Sequence, residues 1–86
     1  MTTAIEDVFT ALRTALTAQS INTALADLAA DAGEYEPALH DLCYTAVQHA
    51  ATIPAELTAT VTAWLNEAGS PELSTQFGAL ETASHN

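Results

Sequence analysis

Hydrophobic residues recur along this chain at intervals of three and four positions, and no stretch alternates between apolar and polar at every second residue. That spacing places apolar side chains on one face of a helix. Thr3 and Glu6 match a capping box, in which each side chain satisfies a free backbone N–H at a helix start. The first and clearest apolar stripe follows this box and consists of Ile5, Val8, Phe9, Leu12 and Leu16.

A second helix is expected after residues 18–22 interrupt the first stripe. Ser20 or Asn22 would cap its start, and Gly33 would end it as the residue after the last turn. Its predicted apolar stripe is Ile21, Leu25 and Leu28, with Ala24 and Ala29 beside it. Because no Pro or Gly separates the two helices, a single bent helix is the alternative.

Proline marks the start of three further helices at Pro37, Pro54 and Pro71, because its missing N–H is tolerated in a first turn. Ser70 would cap the fifth helix, and Gly69 would end the fourth. The predicted apolar faces of the third and fourth helices are Leu39, Leu42, Cys43, Ala46, Val47 and Ala50, then Leu57, Val61, Trp64 and Leu65. In the fifth helix Leu73, Phe77 and Leu80 recur at the same helical spacing. The sequence therefore predicts an all-α fold, a compact bundle of four to five short helices. One helical domain would cover residues 1–81, and a frayed C-terminal tail residues 82–86.

The predicted core is thin. Of the 86 residues, 19 are alanine, and Ile, Leu, Val and Phe together number 18. Hydrophobic stabilisation scales with the apolar area buried, so an alanine-rich core gains little free energy per residue. One alternative is therefore a structural homodimer, or a small subunit of a larger complex, whose acidity reflects only solubility or salt adaptation.

The charge of the chain limits the classes of molecule that it could bind. It has eleven acidic residues, one arginine (Arg13) and no lysine, for a formal net charge of −10. Binding to nucleic acid requires a positive face that displaces counterions from phosphates. Anionic membrane surfaces repel a negative protein. We therefore expect no direct binding to nucleic acid or membrane, and a partner that is another protein with a basic surface.

Five acids lie close together in the sequence and form the candidate electrostatic site: Asp27, Asp31, Glu34, Glu36 and Asp41. Asp27 and Asp31 fall near the carboxyl end of the second helix, where the helix dipole disfavours negative charge. We predict that the cluster contacts a partner, and that Leu73, Phe77 and Leu80 supply the apolar part of the interface. The competing interpretation is that the acids are an ordinary solvated face and that these three residues cover the bundle.

Metal binding and catalysis are both disfavoured. Glu36, His40 and Cys43 have helical spacing and all can bind zinc, but Cys43 falls within an apolar arc and the chain has no second cysteine. Burial and the nearby Asp41 would raise the pKa of the thiol, which argues against a nucleophile. We therefore expect that the protein is not an enzyme and that it binds no cofactor or metal ion. A small-molecule or metal carrier with a pocket near Trp64, Cys43 and His40 remains an alternative.

In size and acidity the chain is similar to acyl carrier proteins, whose prosthetic group is attached to the serine of an Asp-Ser-Leu motif. The corresponding stretch here is Gln19-Ser20-Ile21, which lacks the aspartate, so this assignment is rejected. Its charge and length also resemble those of inhibitors that imitate DNA and of small acidic immunity proteins. The sequence thus predicts a small acidic non-catalytic protein–protein interaction module, an inhibitor or immunity-type protein with nucleic-acid-mimic-like charge. The expected location is the cytoplasm, or the host cytoplasm if the chain is encoded by a phage or plasmid.

Overall fold

A computed structural model describes residues 4–80 and 82–83. The elements in chain order are α1 (Ile5–Thr17), α2 (Ala24–Asp31), α3 (Tyr35–Gln48), β1 (Ile53–Pro54), α4 (Ala55–Glu67), α5 (Pro71–Gly78) and β2 (Thr82–Ala83). The two short strands pair in parallel, with Ile53 opposite Thr82 and Pro54 opposite Ala83. Five helices account for nearly all of the regular structure, so the predicted all-α bundle of four to five short helices is confirmed.

Helix α3 lies at the centre of the bundle and contacts α1, α2 and α5. Helix α4 packs against α5 and also contacts α1 and β1. The ring of Phe9 on α1 meets the ring of Tyr35 on α3 edge to face, with centroids 5.7 Å apart. The buried residues of α3 are Ala38, Leu39, Leu42, Cys43 and Ala46. The core is therefore organised around this helix.

Helix α1 follows the predicted pattern. Val8, Phe9, Leu12 and Leu16 are buried, and Ile5 packs half-buried against them. Ala4 occupies the N-cap position, and the proposed capping box involves Thr3, which lies outside the described residues.

The predicted stripe of the second helix is wrong for its two leucines, while Ile21 is buried as predicted. Leu25 and Leu28 are 75% and 66% exposed, whereas Ala26 is fully buried and Ala29 is half-buried. Leu25 and Leu28 are three positions apart, and so are Ala26 and Ala29, so spacing alone could not decide which pair faces inward. The small alanine side chains allow α2 to lie close to α3, and that close packing leaves both leucines in solvent.

Helices α1 and α2 are separate, because the backbone reverses at Ser20, where φ is +63°. The N–H of Ile21 donates to the carbonyl of Leu16 at 3.1 Å, the hydrogen bond of a Schellman motif. An equivalent hydrogen bond ends α2, α3 and α4. In these three helices the residue with positive φ is Gly33, Ala50 and Gly69, respectively. Glycine therefore ends two of these helices, as predicted, while serine and alanine take the same conformation in the other two.

The side chain of Gln19 ties the end of α1 to the segment between α3 and β1. Its amide nitrogen donates to the carbonyl of Thr52 at 2.7 Å, and the N–H of Thr52 donates to its amide oxygen at 2.8 Å. Since the two residues are 33 positions apart, no pattern in the sequence indicates this contact.

The C-terminal tail is described only in part. Residues 82–83 belong to β2 and pair with β1, and residues 84–86 lie outside the described residues. Fraying of the tail stays a prediction. Among residues 4–80 and 82–83, no helix has the length and apolar character needed to cross a membrane.

The positive φ of Ala50 leads to a first prediction. An L-residue in this conformation is strained by contact between its Cβ and the backbone, and glycine is not. Ala50→Gly should therefore raise the free energy of unfolding by about 0.5–1 kcal/mol, measured by urea denaturation. As a matched control, Ala63→Gly at an exposed site within α4 should lower it by a similar amount. Destabilisation by both substitutions would contradict the assigned turn.

Candidate functional site

Three exposed hydrophobic side chains lie on the face formed by α2 and α3. Leu25 and Leu28 are one turn apart on α2, and Tyr44 on α3 is 58% exposed. Leu25 and Tyr44 line the same shallow groove between the two helices. We call these three residues the apolar patch. Single exposed hydrophobic residues are ordinary, but neighbouring ones on one face commonly mark a contact surface.

Acidic side chains border the apolar patch. Asp41 lines the groove together with Leu25 and Tyr44. Asp31 is exposed and lies one turn beyond Leu28 on α2. The groove has no basic lining residue, so the border of the patch is negative.

The five predicted acids do not form a single cluster. Asp31 shares a groove with Asp27 and Arg13, Asp41 lines the groove of the apolar patch, and Glu36 lines a third groove beside α4. Glu34 is exposed just before α3. The structure thus distributes these side chains over three separate grooves and the segment before α3. Their contact with a partner stays a prediction.

Asp27 is paired with the only arginine of the chain. Nε and Nη2 of Arg13 donate to the two carboxylate oxygens of Asp27 at 2.7 and 3.2 Å. The hydroxyl of Thr23 lies 3.3 Å from the same carboxylate. Because the chain has no other arginine and no lysine, this pair leaves the remaining acids without a Lys or Arg partner. The ion pair also links α1 to α2, which no feature of the sequence indicated.

Two of the three residues predicted to form the apolar part of the interface are buried within the folded chain. Leu73 is 7% exposed, Phe77 is fully buried, and Leu80 packs half-buried against the core. These residues cover α4, because α5 folds back onto that helix and buries its apolar stripe. The alternative interpretation of this stripe, that it completes the bundle, describes what the structure shows.

A third groove lies between α3 and α4 and has a volume of about 550 Å³. Its lining residues are Glu36, Pro37, His40, Trp64, Glu67, Ala68 and Ser70. Nε2 of His40 and Oγ of Ser70 share a hydrogen bond of 2.9 Å, and the rings of His40 and Trp64 meet edge to face with centroids 6.3 Å apart. The predicted pocket near Trp64, Cys43 and His40 is thus present without Cys43, which is fully buried.

The helical spacing of Glu36, His40 and Cys43 does not produce a metal site, because Cys43 lies in the core while the other two are exposed. Within the described part of the chain, no group of three or more His, Cys, Asp and Glu side chains is arranged to hold a metal ion.

The chain matches no known protein-family model, no curated protein and no solved structure. Its function must therefore be inferred from the geometry of its own surface.

Burial of the thiol leads to a second prediction. Removal from water raises the pKa of Cys43 to about 12, because the core disfavours the charged thiolate. At about pH 8, near the usual pKa of a thiol, the folded protein should not react with Ellman's reagent. Unfolding in guanidinium should release one reactive thiol per chain. Rapid reaction of the folded protein would contradict the burial of Cys43.

The Arg13–Asp27 pair leads to a third prediction. The hydrogen bond from Arg13 and its positive charge lower the pKa of Asp27 below the usual value of an aspartate. Since the folded-state pKa is depressed, the stability from this pair is fully present above the usual aspartate pKa of about 3.9 and is lost as pH falls through the folded pKa. Carboxyl NMR titration should show that Arg13→Gln raises the pKa of Asp27. No change in that variant would contradict the ion pair.

Proposed function

We propose that this chain is a small, acidic, non-catalytic interaction module that binds a basic surface of another protein through the α2–α3 face. The observation that carries this proposal is the apolar patch. Buried leucines of the core such as Leu12, Leu16 and Leu39 are fully enclosed, whereas Leu25 and Leu28 stay in water. Leu25 lies beside Tyr44 in one groove. A partner that covers these side chains removes that apolar area from water.

The apolar patch and the acids would contribute different parts of the binding. Burying a leucine-sized side chain is worth roughly 1.5–3 kcal/mol, so the patch would supply affinity. Exposed charges mainly accelerate encounter and select partners of opposite charge. Asp31 and Asp41 at the border of the patch would orient a basic partner over it.

Charge favours a basic partner over a second copy of this chain. Each copy carries a formal charge of −10, and a symmetric contact over the apolar patch would bring the acids of both copies together. The expectation that a second copy completes a thin core also loses support, because the described core already encloses Leu42, Val61 and Phe77.

An inhibitor or immunity-type role fits this surface. A basic protein that binds nucleic acid presents clustered Lys and Arg side chains. An acidic surface with an apolar centre could cover that site and exclude the nucleic acid. We propose this role as the most specific form of the function, with the basic partner as the target.

The double substitution Leu25→Ser and Leu28→Ser tests the proposal. The experiment compares wild type, the double variant and Ala63→Ser, an exposed substitution on α4, in a pull-down from the source cells at low salt. Wild type and Ala63→Ser should capture the same basic protein, and the double variant at least tenfold less, because the apolar contact is lost. With the purified partner, isothermal titration calorimetry should show a dissociation constant that rises with salt.

Two outcomes would contradict the proposal. One is equal capture by wild type and the double variant. The other is binding that does not weaken with salt, because charge would then play no part. Analytical ultracentrifugation tests the alternative, since a wild-type dimer that becomes monomeric in the double variant would assign the apolar patch to self-association.

A further inference from the structure

The groove between α3 and α4 combines two rings with two carboxylates. Glu36 and His40 are one turn apart on α3, and Trp64 and Glu67 are one turn apart on α4. Each wall therefore presents one ring and one carboxylate. The volume of about 550 Å³ falls within the range of small-ligand sites and is large enough for the end of a long side chain.

His40 holds the groove in shape. Its ring contacts Trp64 on the opposite wall and shares a hydrogen bond with Ser70 at the end of the groove. Ser70 occupies the N-cap position of α5, where serine normally accepts a hydrogen bond from a backbone N–H of the first turn. Its side chain makes no such bond here, because the hydroxyl is directed to His40. The hydroxyl of Ser70 thus positions the imidazole of His40 and does not cap α5.

The chemistry of the groove favours an organic cation. Glu36 and Glu67 are both exposed, and the only arginine of the chain lies in a different groove, bound to Asp27. An indole attracts a cation placed over its ring, and a carboxylate accepts charge-assisted hydrogen bonds from a guanidinium or ammonium group. A metal ion is a poorer fit, since the described residues bring no three ligands together.

The groove is continuous with the apolar patch. His40 and Tyr44 are one turn apart on α3, and both line a neighbouring groove that also contains Ser70. Tyr44 in turn belongs to the apolar patch. A protein seated on the patch therefore lies next to the groove and could extend a side chain into it.

We propose that the groove of Glu36, His40, Trp64 and Glu67 binds the guanidinium or ammonium group of an arginine or lysine side chain of the partner. This inference rests on the proposed function for the source of the cation. The site itself does not depend on that function, because the isolated chain can be tested with a small probe.

Trp64 is the only tryptophan of the chain, so its fluorescence reports directly on the groove. The protein is titrated with N-acetylarginine amide and, in parallel, with N-acetylcitrulline amide, which has nearly the same shape but no charge. The arginine derivative should give a saturable change with a dissociation constant on the order of millimolar. The citrulline derivative should bind at least about fivefold more weakly, because it lacks the charge.

Substitutions then locate the cation. Glu36→Gln and Glu67→Gln should each weaken binding of the arginine derivative by about twofold to fivefold, because each removes one charged acceptor. Glu56→Gln is the matched control, since Glu56 is an exposed carboxylate in the first turn of α4 that lines a different groove. It should leave the dissociation constant unchanged.

An equal response to arginine and citrulline derivatives would overturn the proposal, as would an effect of Glu56→Gln as large as that of Glu67→Gln.

A peptide in which leucines flank a single arginine tests the source of the cation. It should bind more tightly than the free derivative and weaken when Leu25 and Leu28 are replaced by serine. If only the free derivative binds, a protein source is overturned. Failure of every probe, with capture of the partner still dependent on the apolar patch, would remove this inference and leave the proposed function intact.

Discussion

The contact of the alanine face of α2 with α3 determines which side chains form the proposed binding surface. Ala26 is fully buried, and its small side chain allows the two helices to approach closely. The ion pair of Arg13 with Asp27 connects α2 to α1. At the start of the helix, the Asn22 side chain accepts a hydrogen bond from the N–H of Ala24 at 2.8 Å. With the alanines turned inward, Leu25 and Leu28 must face solvent.

This arrangement separates the residues that build the core from those that form the proposed binding surface. The larger core side chains of α1, α3, α4 and α5 enclose one another, and Phe77 and Leu73 complete that core. The buried core therefore does not include the leucines of α2. Under the proposed function they are available to a basic partner, since the lone arginine of the chain is already paired with Asp27.

The sequence predicted the helices better than the faces they present. The stripes of α1 and α4, and most of that of α3, were predictable because large apolar residues recur there at helical spacing. On the predicted α3 face, Ala50 is wrong, because it lies exposed beyond the end of the helix. In α2 the alanine and leucine stripes have the same spacing, so only the tertiary packing shows which is inside. Gly33 and Gly69 correctly predicted the ends of two helices. Ser20 and Ala50 adopt the same left-handed conformation, which their residue types do not indicate. The contact of His40 with Ser70 joins residues 30 positions apart, which only the fold brings together.

Reciprocal substitutions on α2 test the orientation of this helix most directly. The free energy of unfolding is measured in urea for Leu28→Ala and for Ala26→Leu. With the alanines inward, Leu28→Ala should cost less than about 0.5 kcal/mol, as at most exposed sites, and Ala26→Leu about 1–3 kcal/mol through overpacking. A loss of about 2–5 kcal/mol in Leu28→Ala, typical of a buried leucine, together with a neutral or stabilising Ala26→Leu, would show that the leucines face the core.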